Sequence, residues 1–166
     1  GAKIVGPGNA GGITPLANYI TIQFFDLSTQ GTGPGVDLAN GAFPHAHHIS
    51  VVDNYIHDCG GGGINSGWGD YYTYERNVIT ECAKTNPFQT SGISIYQPQA
   101  VDSAPGFHIF VRKNSIYHNY NAVDTSGNPG GATTDGEGII LDDGNQTQAS
   151  GHNIATQYTS GILVEN

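Results

Sequence analysis

The sequence predicts an all-β chain built from a short recurring unit, and three observations predict it. Four segments end alike on asparagine: Val51-Val52-Asp53-Asn54, Tyr74-Glu75-Arg76-Asn77, Val111-Arg112-Lys113-Asn114 and Leu163-Val164-Glu165-Asn166. Three of them continue alike, Asn54 to Ile56 and Cys59, Asn77 to Ile79 and Cys82, Asn114 to Ile116 and Asn119. A further short strand opens each time on glycine, at Gly63-Ile64, Gly92-Ile93, Gly138-Ile139 and Gly161-Ile162. The unit reads strand, Asn turn, strand, bend, Gly-Ile strand. Such a unit cannot close a core alone and stacks on copies of itself. Three short strands per unit fit a right-handed parallel β-helix of about four to five coils.

Composition supports the same class. The 166 residues suit one domain, taken as 1–166. The 25 glycines and 11% charged residues favour turns and short strands over amphipathic helices. No apolar run approaches the roughly 20 residues of a membrane-spanning helix, so no membrane partner is expected. The net charge of −9, with five Lys and Arg in all, also argues against nucleic acid, which needs clustered cations.

Along the chain, residues 1–14 show no clear strand. Residues 15–40 hold a first coil around Tyr19-Ile20-Thr21-Ile22, and 41–67 and 68–97 hold two closely matching coils. Residues 106–143 form a longer coil with an insertion at 120–134, and a loop at 144–157 precedes the last strand. Because Asn166 stands where the next coil would continue, the expectation is a fragment of a longer solenoid, or a unit completed by another chain with possible end-to-end self-association.

Period-two alternation assigns faces. Ile64, Ile93, Ile139 and Ile162 point inward, with Val51, Tyr74, Val111 and Leu163. Asn54, Asn77, Asn114 and Asn166 form a ladder in the turn, because Asn tolerates left-handed backbone and bonds neighbouring main chain. Cys59 and Cys82 are separated by the same interval as Asn54 and Asn77, so they stack either as interior thiols or as a disulfide.

Outward columns beside the Gly-Ile strand carry the candidate binding residues. Gly67, Tyr96 and Asp142 share one column, Trp68, Gln97 and Asp143 the next, and Asn65, Ser94 and Ile140 a third. Aromatic faces beside carboxylates and amides suit a sugar-binding groove, with Asn65, Trp68, Tyr96 and Gln97 as substrate contacts. Asp135, Glu137, Asp142 and Asp143 form an acidic cluster whose hard oxygens suit Ca²⁺. Another outward column holds His57, Thr80 and Tyr117, flanked by Asp58, Glu81 and His118, and Arg112-Lys113 is the one adjacent basic pair. Acid–base candidates are therefore Lys113, Arg112, His57, His118 and Tyr117. His47 and His48 are adjacent and point to opposite faces if the strand is regular, which makes a metal site with His45 a minor reading.

At Asp135-Gly136-Glu137-Gly138-Ile139-Ile140-Leu141-Asp142-Asp143, at Leu163-Val164-Glu165-Asn166 and at the His-Asp-Cys-Gly-Gly-Gly-Gly-Ile run of 57–64, the chain resembles secreted bacterial right-handed β-helix repeat proteins of the pectate-lyase-like superfamily. The resemblance covers roughly residues 45–166. It implies a secreted, extracellular polysaccharide-active protein. The expected activity is Ca²⁺-assisted β-elimination of a uronic-acid glycan, in which the bridging cation reverses the sign of an acidic face. A glycoside hydrolase using Asp142 and Asp143 is the enzyme alternative, and a non-enzymatic structural or glycan-binding β-helix is the other.

Overall fold

The structure, a computed structural model, describes residues 1–39, 41, 43, 45–86, 90–123, 138–142, 158 and 160–166. Among the described residues there are strands and no helix. They form three sheets. Sheet A orders β1 (Ala2–Gly6), β3 (Phe25–Thr29), β6 (Tyr55–His57), β9 (Val78–Thr80) and β12 (Ser115–Tyr117). Sheet B orders β4 (Val36–Leu38), β7 (Ile64–Gly67), β10 (Ile93–Tyr96) and β13 (Ile139–Asp142). Sheet C orders β2 (Ile20–Gln23), β5 (His47–Val52), β8 (Asp70–Glu75), β11 (Phe107–Arg112) and β14 (Gly161–Glu165). All pairing is parallel, and from β2 onward the chain visits sheets C, A and B in turn.

The register follows the apolar pattern. Leu27, Ile56, Ile79 and Ile116 align in sheet A. Val36, Ile64, Ile93 and Ile139 align in sheet B, and Ile22, Val51, Tyr74 and Val111 in sheet C. Residues of all three sheets meet in one buried cluster. Each fully buried Ile, Leu or Val there contributes about 1.5–3 kcal/mol. The glycine that opens strands β4, β7 and β10 of sheet B is sterically required. A Cβ on Gly63 would lie 2.6 Å from the Gly92 carbonyl oxygen, and one on Gly92 would lie 2.7 Å from that of Gly138.

The bends between sheets C and A hold the asparagine ladder. The Asn54 N–H donates to Asn77 Oδ1 at 3.1 Å, and the Asn77 N–H donates to Asn114 Oδ1 at 2.9 Å. The amide nitrogens donate inward: Asn54 Nδ2 to the Ile22 carbonyl, Asn77 Nδ2 to that of Val51, Asn114 Nδ2 to that of Tyr74. Each side chain needs a donor and an acceptor at once, which Asp cannot supply as a carboxylate. The left-handed residue is not the asparagine, as expected, but the one before it: φ is 54° at Asp53, 55° at Arg76 and 55° at Lys113. An L-residue in this region costs about 1–2 kcal/mol. The ladder bonds offset that cost where the chain must turn.

Three other expectations change. Residues 2–6 form a strand, because β1 pairs with β3 over Ala2↔Phe25 to Gly6↔Thr29. Gly161-Ile162 does not continue the Gly-Ile column of sheet B; β14 joins sheet C, with Ile162 beside Ile109. That pairing shifts the final segment by one residue. Leu163 then aligns with Phe110 instead of joining the inward Val51–Tyr74–Val111 column, and Glu165 aligns with Arg112, which places Asn166 off the asparagine ladder. Burial of Ile162 against Ile109 decides the register over the local sequence match. Finally, His48 has φ 56°, so β5 is not regular there, and His47 Nδ1 and His48 Nδ1 face each other at 2.8 Å.

Asn77 is buried and bridges its two neighbours in the ladder. Asn77→Ala is expected to lower unfolding free energy by about 1–3 kcal/mol, the cost of orphaned buried groups. Urea denaturation followed by circular dichroism measures it, and an unchanged midpoint contradicts the ladder's role.

Candidate functional site

The outer face of sheet B brings together the residues expected to bind substrate. Asn65, Ser94 and Ile140 stand in one column, and Gly67, Tyr96 and Asp142 in the next. Beyond them the chain bends at Trp68 and Gln97, both left-handed, with φ 55° and 45°. Trp68 Nε1 donates to Gln97 Oε1 at 3.0 Å, and its ring meets Tyr96 edge to face with centroids 5.8 Å apart. A cavity of about 220 Å³ opens here, lined among others by Asn65, Ser94, Tyr96 and Asp142. Among the described residues, two polar atoms on this face are buried without a partner, Ser94 Oγ and Asn65 Oδ1, and Ser94 is only 7% exposed. Buried polar atoms are normally satisfied. The adjacent carboxyl in the Asn65 column, Asp37, is raised above the usual carboxylate range by burial, which outweighs the hydrogen bond donated by the Ala39 N–H.

The remaining candidates lie elsewhere. His57 and Tyr117 stand on sheet A, each paired in register with Thr80. His57 is held between Asp26 at 2.8 Å and Asp58 at 2.7 Å, and its ring stacks on Tyr55. Hydrogen bonding from His57 lowers the Asp58 carboxyl. His118 lies 3.6 Å from Glu81. Lys113 sits in the bend between sheets C and A. Arg112 ends β11 and pairs with Glu75 at 2.9 Å, its guanidinium 5.3 Å from the Phe110 ring centroid. None of these five shares the sheet B face. Of the acidic quartet, Asp142 ends β13, while Asp135, Glu137 and Asp143 lie outside the described residues. Among the described residues no group of three or more His, Cys, Asp or Glu could hold a metal ion. Cys59 and Cys82 are buried free thiols, and burial pushes the Cys82 thiol up.

Sequence reasoning missed the densest polar cluster, which lies at the start of sheet C. Asp70 is fully buried and its carboxylate accepts four hydrogen bonds. His108 Nδ1 and the Val101 N–H reach Oδ2 at 2.9 and 3.0 Å; the Tyr71 N–H and the Tyr158 hydroxyl reach Oδ1 at 2.9 and 2.6 Å. His108 Nε2 lies 3.1 Å from the Tyr71 hydroxyl and 3.0 Å from the Ala104 carbonyl. The Tyr71 hydroxyl also reaches both Asp102 oxygens, at 3.0 and 3.1 Å. One signal was available: His48, Tyr71 and His108 stand at the same distance before Asn54, Asn77 and Asn114. They do stack, His48 on Tyr71 at 4.3 Å and Tyr71 on His108 at 4.0 Å between centroids.

No family model, no curated protein and no solved structure matches this chain.

At the opposite end of the sheet C strands, Arg76 donates from Nε and Nη2 to both oxygens of Asp53 at 2.7 and 2.8 Å, and also pairs with Glu75. The Arg76 bonds, then the one from Gln23, hold the Asp53 carboxyl at about 2. A folded-state value below the ordinary range gives a contribution that is present near neutrality and lost as pH falls through that value. Carboxyl-detected NMR titration should find Asp53 ionising at about 2, and Arg76→Gln should move the midpoint upward. An unmoved midpoint would show that Arg76 is not the cause.

Proposed function

We propose that the three sheets are the faces of a right-handed parallel β-helix and that the protein binds a polysaccharide along the outer face of sheet B. The cyclic order of the sheets supports the helix, and parallel crossovers are right-handed in almost all known cases. One observation carries the binding reading: the unpartnered, buried Ser94 hydroxyl and Asn65 carbonyl at the cavity bordered by Tyr96. A side-chain rotation at either residue would let a sugar hydroxyl donate to Asn65 or exchange a hydrogen bond with Ser94. An aromatic ring beside them packs the apolar face of a pyranose. The resemblance to secreted polysaccharide-active proteins supports the same ligand and an extracellular setting.

Binding is the reading that the described residues of this face support. The candidate bases expected from sequence stand on other faces or bends, and Asp142 is the only described member of the acidic quartet. Asp142 fits a hard cation by donor type, and Ca²⁺ there would screen an acidic glycan from the protein's own negative charge. No step is derived through the ion.

Affinity electrophoresis through gels holding neutral or acidic polysaccharides tests the reading. Trp68→Ala should abolish retardation on the polymer that retards the parent. Ser94→Ala should weaken retardation and at the same time raise stability by about 1 kcal/mol, since it removes an unsatisfied buried hydroxyl. If no polymer retards the protein, or if both variants behave like the parent, sheet B is not a glycan site.

A further inference from the structure

We infer that the polymer bound along sheet B is a cationic glycan, built of amino sugars with unacetylated amines, whose ammonium groups pair with Asp37 and Asp142 while its rings pack on Tyr96 and Trp68. The choice of a glycan rests on the reading of sheet B given above; the class of glycan rests on the charges placed there.

The face carries a carboxyl at each margin. The outermost strands of sheet B, β4 and β13, supply Asp37 and Asp142. Asp37 stands in register beside Asn65, in the column that continues to Ser94 and Ile140. Asp142 stands in register beside Tyr96 and lines the cavity of about 220 Å³. Three strand spacings separate β4 from β13, roughly 14 Å. The two carboxyls therefore bracket Asn65, Ser94 and the Tyr96 ring.

The basic side chains stand elsewhere. All five Lys and Arg of the chain lie among the described residues. Lys3 is on β1, Arg112 ends β11, Arg76 and Lys113 sit in the bends between sheets C and A, and Lys84 follows β9. Arg76 is paired with Asp53 and Glu75, Lys84 with Asp58 and Glu81, and Arg112 with Glu75. The net charge of −9 adds a field of the same sign as the two carboxyls. Such a field draws in a polycation and repels a polyanion, within about 8–10 Å at ordinary ionic strength.

Charge then separates three classes of glycan. An acidic polymer brings like charge to Asp37 and Asp142. A neutral polymer covers both carboxyls and strips their water without returning a charge. An amino sugar returns it, because an ammonium offers a carboxylate three donors and a positive charge. The same group is attracted to the face of an aromatic ring. Tyr96 lies next to Asp142, and Trp68 meets it edge to face at 5.8 Å between centroids. Asp37 accepts a hydrogen bond from the Ala39 N–H at 3.1 Å, and burial holds its carboxyl above the usual range. An ammonium beside it favours the ionised form and opposes that shift. A basic peptide shares the charge but brings no pyranose face to the two rings.

Affinity electrophoresis tests this in gels holding glycol chitosan, its N-acetylated counterpart glycol chitin, polygalacturonate with Ca²⁺, or poly-lysine. Glycol chitosan should retard the parent several-fold more strongly than any of the others. Asp37→Asn and Asp142→Asn should each weaken that retardation about 2–5-fold, the effect of losing one solvent-screened ion pair. Glu165→Gln removes the same charge from sheet C and should leave retardation unchanged, which a general attraction between polyanion and polycation would not allow. Urea denaturation of each variant shows that it folds like the parent. Stronger retardation by glycol chitin or by polygalacturonate with Ca²⁺ overturns the amino-sugar assignment and leaves sheet B a glycan face. Equal retardation by poly-lysine, or an equal loss in Glu165→Gln, overturns the assignment by reducing binding to net charge. If no glycan retards the protein, the assignment and the reading of sheet B fall together.

Discussion

The asparagine ladder is the constraint on which the rest of the structure depends. Asn54, Asn77 and Asn114 each accept from the main chain of one neighbouring bend and donate to the main chain of another strand. These bonds hold Asp53, Arg76 and Lys113 in the left-handed region, where the chain turns from sheet C into sheet A. Turning at a fixed residue keeps successive strands in step. With the step fixed, Leu27, Ile56, Ile79 and Ile116 fall in one interior column, and the columns of the other sheets follow. A slip of one residue would carry every one of these side chains to the opposite face.

The same rule at the other bends produces the candidate chemistry. Left-handed residues at Trp68 and Gln97 place an indole and an amide side by side at the rim of sheet B. Left-handed residues at Tyr19, His48 and Tyr71 build a ring ladder at the start of sheet C, which His108 continues. The candidate side chains at Trp68, Gln97, His48 and Tyr71 thus stand at left-handed bends, held by contacts to the neighbouring strands. The segment from Gln97 to Phe107 ties this arrangement down. Gln99 N–H donates to the Gly69 carbonyl, Val101 N–H to Asp70, and Asp102 and Ala104 accept from or face the Tyr71–His108 pair.

The all-β, parallel-sheet class and the sheet B columns were legible because apolar alternation and the Asn and Gly-Ile marks repeat at short, regular intervals. Asn65 with Ser94, and Tyr96 with Asp142, could be aligned by counting. The sheet C cluster was not read, for two physical reasons. Asp70 and His108 are brought together across an intervening loop, and the left-handed turn at Tyr71 defeats the period-two rule that assigns faces. The last segment failed differently: Leu163-Val164-Glu165-Asn166 copies the ladder motif locally, yet Ile162 pairs with Ile109 and shifts it by one. Packing overrode a sequence match.

The central claim is that the ladder fixes the register of the whole stack, and native-state hydrogen exchange at its own protons addresses it most directly. The backbone N–H and Nδ2 protons of Asn54 and Asn77 should exchange only through global unfolding, at the same free energy as the core amides of Ile56 and Ile79. Exchange of the ladder protons at a free energy well below that of the core would show that the bends open independently of the sheets, and would contradict the account.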